Sequence, residues 1–279
     1  MLSRPIQSES TPFLLGFVPF FRKEIQEWKQ QKQAAIAVLL LIPFLLSLAG
    51  IVLIKLAQMS GVSAIAADGD HLTLSATSTS NPLWLGVVSV LLSIGLIPNE
   101  LTSGTLSWNL TKPLSRLSFL LGKWSGNVLM IWLVAVVLAN VVTLLMALIG
   151  VGAGTFSIPV VLARNLFALL PIAFWVLFCL FAGMFLKDQA AIGAFALVLA
   201  AIGTGLASAQ GLASTFGIQL SQNNQAWFDA IATYYPTNVI DGFLTADNTI
   251  NFLKLSIYLV YMALMFVATY SMFDRKEFS

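Results

Sequence analysis

Charge is scarce in this chain. Of its 279 residues only 9% are Asp, Glu, Lys or Arg, whereas 58% are hydrophobic. A soluble globular domain carries roughly 25% charged residues, so too few are present to cover a water-facing surface. That excludes a soluble enzyme with its own compact core, a coiled coil and a disordered chain. Cysteine is limited to Cys179, which excludes an internal disulfide and a thiolate metal cluster. Histidine is limited to His71, leaving little for metal ligation or histidine-based catalysis. The net charge is +2, from 14 basic and 12 acidic residues, too small a surplus to point to nucleic acid. Neither an H-E-x-x-H zinc motif nor a G-x-x-x-x-G-K-[ST] phosphate loop occurs, so neither chemistry is available by those routes.

Long apolar runs are abundant. A helix needs about 20 apolar residues to cross the roughly 30 Å hydrocarbon layer. Six stretches meet or approach that length: 34–54, 82–98, 125–149, 166–186, 190–212 and 255–273. They are continuous, without the alternation of barrel strands, and therefore predict helices. The first begins after 33 residues and exceeds a signal-peptide core, so it reads as a retained span. The chain is thus expected to be an all-α polytopic membrane protein, with a 1–33 N-terminal arm and a 34–279 six-helix domain. Basic residues set its orientation. Six spans put both termini on one side, with Arg4, Arg22, Lys23, Lys29, Lys32, Lys112, Arg116, Lys123, Lys187, Arg275 and Lys276; the other side holds Lys55, Arg164 and Lys254. Both termini are accordingly expected in the cytoplasm of a cell whose inner, plasma membrane holds the protein.

The segments between spans are informative. Residues 13–33 carry Phe17, Phe20, Phe21, Ile25 and Trp28 at helical spacing. They predict a helix in the cytoplasmic interface, with Arg22 and Lys23 as anchors and Trp28 at headgroup depth. Residues 99–124 read NELTSGTLSWNLTKPLSRLSFLLGKW. Leu101, Thr105 and Trp108 share one helical face, and Leu106 and Leu110 another, until Pro113 breaks the pattern. A second short amphipathic run, 117–122, is flanked by Arg116 and Lys123. Two short surface helices bent at Pro113 are expected. On the opposite side, 213–254 is rich in apolar and aromatic residues, predicting a short helix pressed on the outer face or re-entering it.

Within the six windows no Asp, Glu, Lys, Arg or His occurs, which disfavours a transporter driven by an ion gradient through such a residue. Cys179 lies mid-span among Phe and Leu and reads as packing, since an apolar site suppresses its thiolate. Gly203, Ala207 and Gly211 recur every four residues, a pattern that admits close approach of another helix, within the chain or in a dimer. Asn127, Asn140 and Thr143 add mild polarity to the third span.

The 99–124 segment resembles the first cytoplasmic loop of permease subunits of type-2 ATP-binding-cassette (ABC) transporters. Glu100, Ser103-Gly104-Thr105-Leu106, Lys112-Pro113-Leu114-Ser115-Arg116 and Leu121-Gly122-Lys123 carry the likeness, and Lys23-Glu24-Ile25 is similar to that family's N-terminal helix. The resemblance implies a non-catalytic permease, usually an exporter, whose partners are a separate ATPase subunit and a second permease copy in the lipid bilayer. ATP and Mg would reside on the ATPase, and no cofactor on this chain. It further implies a coupling helix over 100–110 that docks on the ATPase, with Thr105, Leu106 and Trp108 as contacts. Gly104 would permit close approach, Pro113 would set the bend, and Arg116 and Lys123 would sit at the headgroups. The alternatives are a secondary transporter or channel acting without an ATPase, and a permease-like regulatory membrane protein. Apolar walls favour an amphiphilic or lipid-like substrate.

Overall fold

The computed structural model describes residues 14–59, 82–104, 114–150, 158–215, 222–241 and 251–275. Every regular element among them is helical. Helix α1 (Phe17–Gln31) starts after Gly16, whose φ of 80° suits a residue without Cβ. Helix α2 (Gln33–Met59) follows after Lys32, and at 27 residues outruns the apolar window by about a turn. Helix α3 (Pro82–Ser93) stops short of the expected end; a turn over 94–97 and the five-residue α4 (Pro98–Thr102) replace its last part. Gly95 and Pro98 account for the break. Pro98 starts α4 where its missing N–H costs nothing, and a Cβ at Gly95 would meet the Asn99 amide at 2.5 Å.

The third span departs most from expectation. Helix α5 (Arg116–Trp132) passes through a π-helical stretch at Leu133–Leu138 into α6 (Ala139–Gly150). The run over 117–122 is therefore not a separate surface helix but the first turns of this one. Ser115 explains the start: its hydroxyl accepts the Ser118 N–H at 3.1 Å as an N-cap. Leu117, Phe119 and Leu120 are then buried in the bundle.

Helices α7 (Ile158–Phe167) and α8 (Leu169–Ala182) form the fourth apolar passage. Residues 171–180 of α8 are buried without exception, as expected of a helix apolar on every side. α8 is the hub, packed against α3, α5, α9 (Gln189–Thr215) and α12 (Phe252–Arg275). Gly86 makes the α3 contact possible, since a Cβ there would meet Trp175 Nε1 at 2.7 Å. Tyr258 of α12 donates its hydroxyl to the Leu170 carbonyl at 2.7 Å.

Among the described residues five stretches are long and apolar enough to cross a membrane: Gln33–Val52, Trp84–Thr102, Arg116–Met146, Ile158–Ala182 and Phe252–Arg275. The described apolar part of α9, Gln189–Gly203, is shorter. These helices extend beyond the windows read from hydropathy, and so take in Lys123 and Arg164, which the sequence left outside.

The 213–254 segment holds α10 (Gln222–Tyr234) and α11 (Pro236–Asp241), folded onto α9 and α12. Gly203 is the reason they fit. A Cβ there would collide with Thr237 Oγ1 and approach the Tyr235 ring at 2.9 Å, while Asn238 Nδ2 donates to the Gly203 carbonyl at 3.2 Å. Gly203 thus serves packing within the chain; Ala207 and Gly211 lie in α9, their side-chain surroundings outside the description. Replacing Gly203 with Val is expected to destabilise the fold by about 1–3 kcal/mol through overpacking. Gly193→Ala, with nothing within 4 Å of the new Cβ, should leave the melting temperature in detergent unchanged or slightly raised.

Candidate functional site

Helix α1 lies along α5 by means of small residues. A Cβ at Gly122 would meet the Phe20 ring at 2.6 Å, and one at Gly126 would meet Glu24 Cβ at 3.0 Å. Phe20, Glu24 and Trp28 repeat every four residues on the face turned to that seam, and all three are buried. Phe119 meets the tilted ring of Phe20 and stacks on Phe273, with centroids 5.0 and 5.3 Å apart, joining α1, α5 and α12. The Ser115 N–H also donates to the Leu15 carbonyl at 3.2 Å, fixing the start of α5 beside the start of α1.

A charged cluster lies within this seam. Lys123 Nζ is 3.1 Å from Glu24 Oε1 and 2.6 Å from Glu100 Oε1. Side-chain exposure is 4% for Lys123 and Glu24, and 12% for Glu100. Asn127 completes the arrangement by donating Nδ2 to Glu24 Oε2 at 3.3 Å and to the Lys123 carbonyl at 2.8 Å. Its Oδ1 accepts from Trp28 Nε1 at 2.8 Å. One ammonium on α5 therefore ties that helix to both α1 and α4.

Two residues expected at the headgroups are found inside protein. Trp28 is 1% exposed and Lys123 3%. The indole N–H has Asn127 as partner, and the lysine has two carboxylates, so neither needs the interface to satisfy its polar atoms. Arg22 is exposed. Lys23 pairs with Glu27 at 3.1 Å. Arg116 reaches Asp274 of α12, with Nη1 to Oδ1 at 3.4 Å and a further bond to the Asp274 carbonyl. Gly104 has φ +68°, with nothing among the described residues within 4 Å of where a Cβ would go, so its left-handed backbone calls for glycine. Thr105, Leu106, Trp108 and Pro113 lie outside the described residues.

The sequence reading missed Glu24, Asn127 and Lys32 as members of this site. The pair Gly122 and Gly126, four apart on one helix like Gly203 and Ala207, was the available signal for a helix docked there. Lys32, between α1 and α2, donates to the Leu92 carbonyl at 3.0 Å and stands 4.1 Å from the Trp28 ring centroid. Burial pushes its ammonium down to about 8, against the opposing field of Glu24 and with that of Lys123.

Lys123→Met is expected to destabilise the protein by about 3–5 kcal/mol, because two buried carboxylates lose their cation. Adding Glu24→Gln and Glu100→Gln in the same chain should restore much of that loss in a thermal melt. The depressed lysine has its own signature. Between about pH 8 and 10.5 the unfolded chain holds a proton at Lys32 that the folded chain has released. Stability should therefore rise with pH across that window. In detergent without anionic lipid, the melting temperature of the unmodified protein should gain on that of Lys32→Met; a constant difference would contradict the assignment.

Comparison with known proteins bears on the whole chain. The family described as ABC-2 family transporter protein matches residues 19–278. No characterised protein gave a match. That span runs from within α1 through the end of α12 and takes in every element of the charged cluster. Together with helices of membrane-crossing length, the match establishes that the chain belongs to the ABC-2 transporter family, as a multi-pass membrane permease.

Proposed function

We propose that this permease is the non-catalytic membrane subunit of an exporter, driven by a separate ATPase that carries ATP and Mg. It would cross the cell membrane six times, with α9 as the fifth passage and both termini cytoplasmic, and would form its path with a second permease copy. The single observation that carries the coupling reading is the Glu24–Lys123–Glu100 cluster. The residues expected to receive the ATPase begin at Glu100, and Glu100 is joined through Lys123 to both α1 and α5.

The physical consequence is stiffness. A force on the 100–110 segment cannot be absorbed by that segment alone, since moving Glu100 away strands Lys123. α4 is only five residues long and has little rigidity of its own, so its bond to Lys123 gives it a fixed place. In this reading, closure of the ATPase pair displaces α4, α1 and the N-terminal half of α5 together. The cavity between two permeases then reopens on the far side. Arg116, paired with Asp274, would carry the same displacement to α12, and Thr105, Leu106 and Trp108 would provide the docking contacts.

Glu100→Lys is expected to abolish ATP-driven transport and to weaken co-purification of the ATPase, while the protein still inserts into the membrane. Gly104→Leu should do the same through backbone strain of about 1–2 kcal/mol at a left-handed position. Transport by reconstituted vesicles and recovery of the ATPase on the tagged permease are the readouts. Unchanged transport in both variants would overturn the coupling assignment.

A further inference from the structure

A cleft of about 460 Å³ opens between α1, the end of α3, α4 and α5. Lys23, Glu27, Trp28, Lys32, Leu91 and Asn127 are among the residues that line it. Its carboxylates are engaged: Glu24 and Glu100 with Lys123, and Glu27 with Lys23. Among the described residues Lys32 has no carboxylate within ion-pair distance. It donates to the Leu92 carbonyl at 3.0 Å and more weakly to Asn127 Oδ1 at 3.5 Å. An ammonium carries three N–H donors; beyond these two bonds it has the face of the Trp28 ring, 4.1 Å from its centroid, and the cleft beside it. At longer range Lys32 balances the excess charge of the Glu24–Lys123–Glu100 trio, yet that field does not offset its burial, and its ammonium is held down at about 8. An anion delivered to the cleft would relieve this.

Depth and apolar surface identify the anion's carrier. Lys32 immediately precedes the membrane-length stretch that starts at Gln33, the position along the chain where a passage meets the headgroups. From the cleft, α3 presents Leu91, 65% exposed, and one turn further Val87, 37% exposed. These side chains form an apolar wall that leads from headgroup level into the hydrocarbon. A soluble anion would have no use for that wall, whereas an acyl chain would lie along it. We infer that the cleft binds an anionic phospholipid, its phosphodiester on Lys32 and an acyl chain along Leu91 and Val87. This site is independent of whether the permease exports or which ATPase drives it.

The test is lipid retention. The protein, purified from mixed phosphatidylcholine and phosphatidylglycerol vesicles, is partly delipidated and its bound lipid counted by native mass spectrometry. Phosphatidylglycerol should be retained in preference to phosphatidylcholine, and Lys32→Gln should cut that retention roughly tenfold, the size expected for a charge-assisted bond. Lys32→Arg should preserve it, and Lys29→Gln, on the exposed side of α1, should leave it unchanged. The groups that face Lys32 are Lys23, Glu24 and Glu27 from α1, Glu100 from α4 and Lys123 from α5. Burial holds the Lys32 ammonium down at about 8. Retention by the unmodified protein should therefore fall in alkaline buffer, and that of Lys32→Arg should not. This arm decides the matter even if Lys32→Gln fails to fold. Equal retention of both lipids, an unaltered Lys32→Gln, a flat pH profile, or displacement of the lipid by inorganic phosphate would each overturn the inference.

Discussion

Lys123 is an ammonium enclosed by protein, and the N-terminal end of the bundle is built to accommodate it. Removing an ion from water costs several kcal/mol even after relaxation, and close carboxylates recover that only with good geometry. Here the geometry comes from three separate elements. Glu24 approaches from α1 because Gly122 and Gly126 leave room for that helix. Glu100 approaches from α4 because the second span breaks at Gly95 and restarts at Pro98. Asn127, one turn along α5, saturates the second oxygen of Glu24. Parting any of these elements leaves a charge without a partner, so the region resists piecewise movement. A device that converts motion at the membrane surface into motion of membrane helices requires that property.

Around α8 the described helix contacts are apolar, supplemented by neutral hydrogen bonds. α8 is buried along residues 171–180 and touches α3, α5, α7, α9 and α12. Where helices come close, glycine is the enabling residue, as at Gly86 beneath Trp175 and Gly203 beneath Tyr235. Tyr and Trp side chains donate to helix carbonyls across these contacts, Trp124 to Ala173 and Tyr235 to Leu199 among them. In an apolar surrounding such bonds satisfy the donor without adding charge. The buried ion pairs among the described residues thus lie together at Glu24, Lys123 and Glu100, beside the proposed ATPase docking segment.

The membrane class and the helical passages were legible in the sequence because uninterrupted apolar runs admit few other structures. Their ends were less so. Backbone bonding carries a helix into polar flanks wherever a cap permits, as Ser115 does for α5, and hydropathy does not register caps. Breaks were not read either: the 82–98 window ran on through Gly95, and the interruption before Pro98 appears in the structure. The charged cluster was hidden for a different reason: Glu24 and Lys123 are 99 residues apart, and each taken alone resembles an interfacial charge. Trp28 was ambiguous in the same way, since an indole suits a headgroup or a buried partner equally. Only the Gly122 and Gly126 spacing hinted that a helix would lie against that part of α5.

Cys179 is the sole native cysteine and is buried, so spin labels can be placed selectively at Lys29 on α1 and Thr102 on α4, both exposed. The distance between these labels, measured by pulsed electron spin resonance with the ATPase bound, tests most directly whether α1 and α4 act as one body. The account predicts a single narrow distribution that nucleotide binding leaves in place, while the distance from either label to α10 changes. A distance between α1 and α4 that shifts or splits with nucleotide would show the cluster opening during the cycle, and would contradict the account.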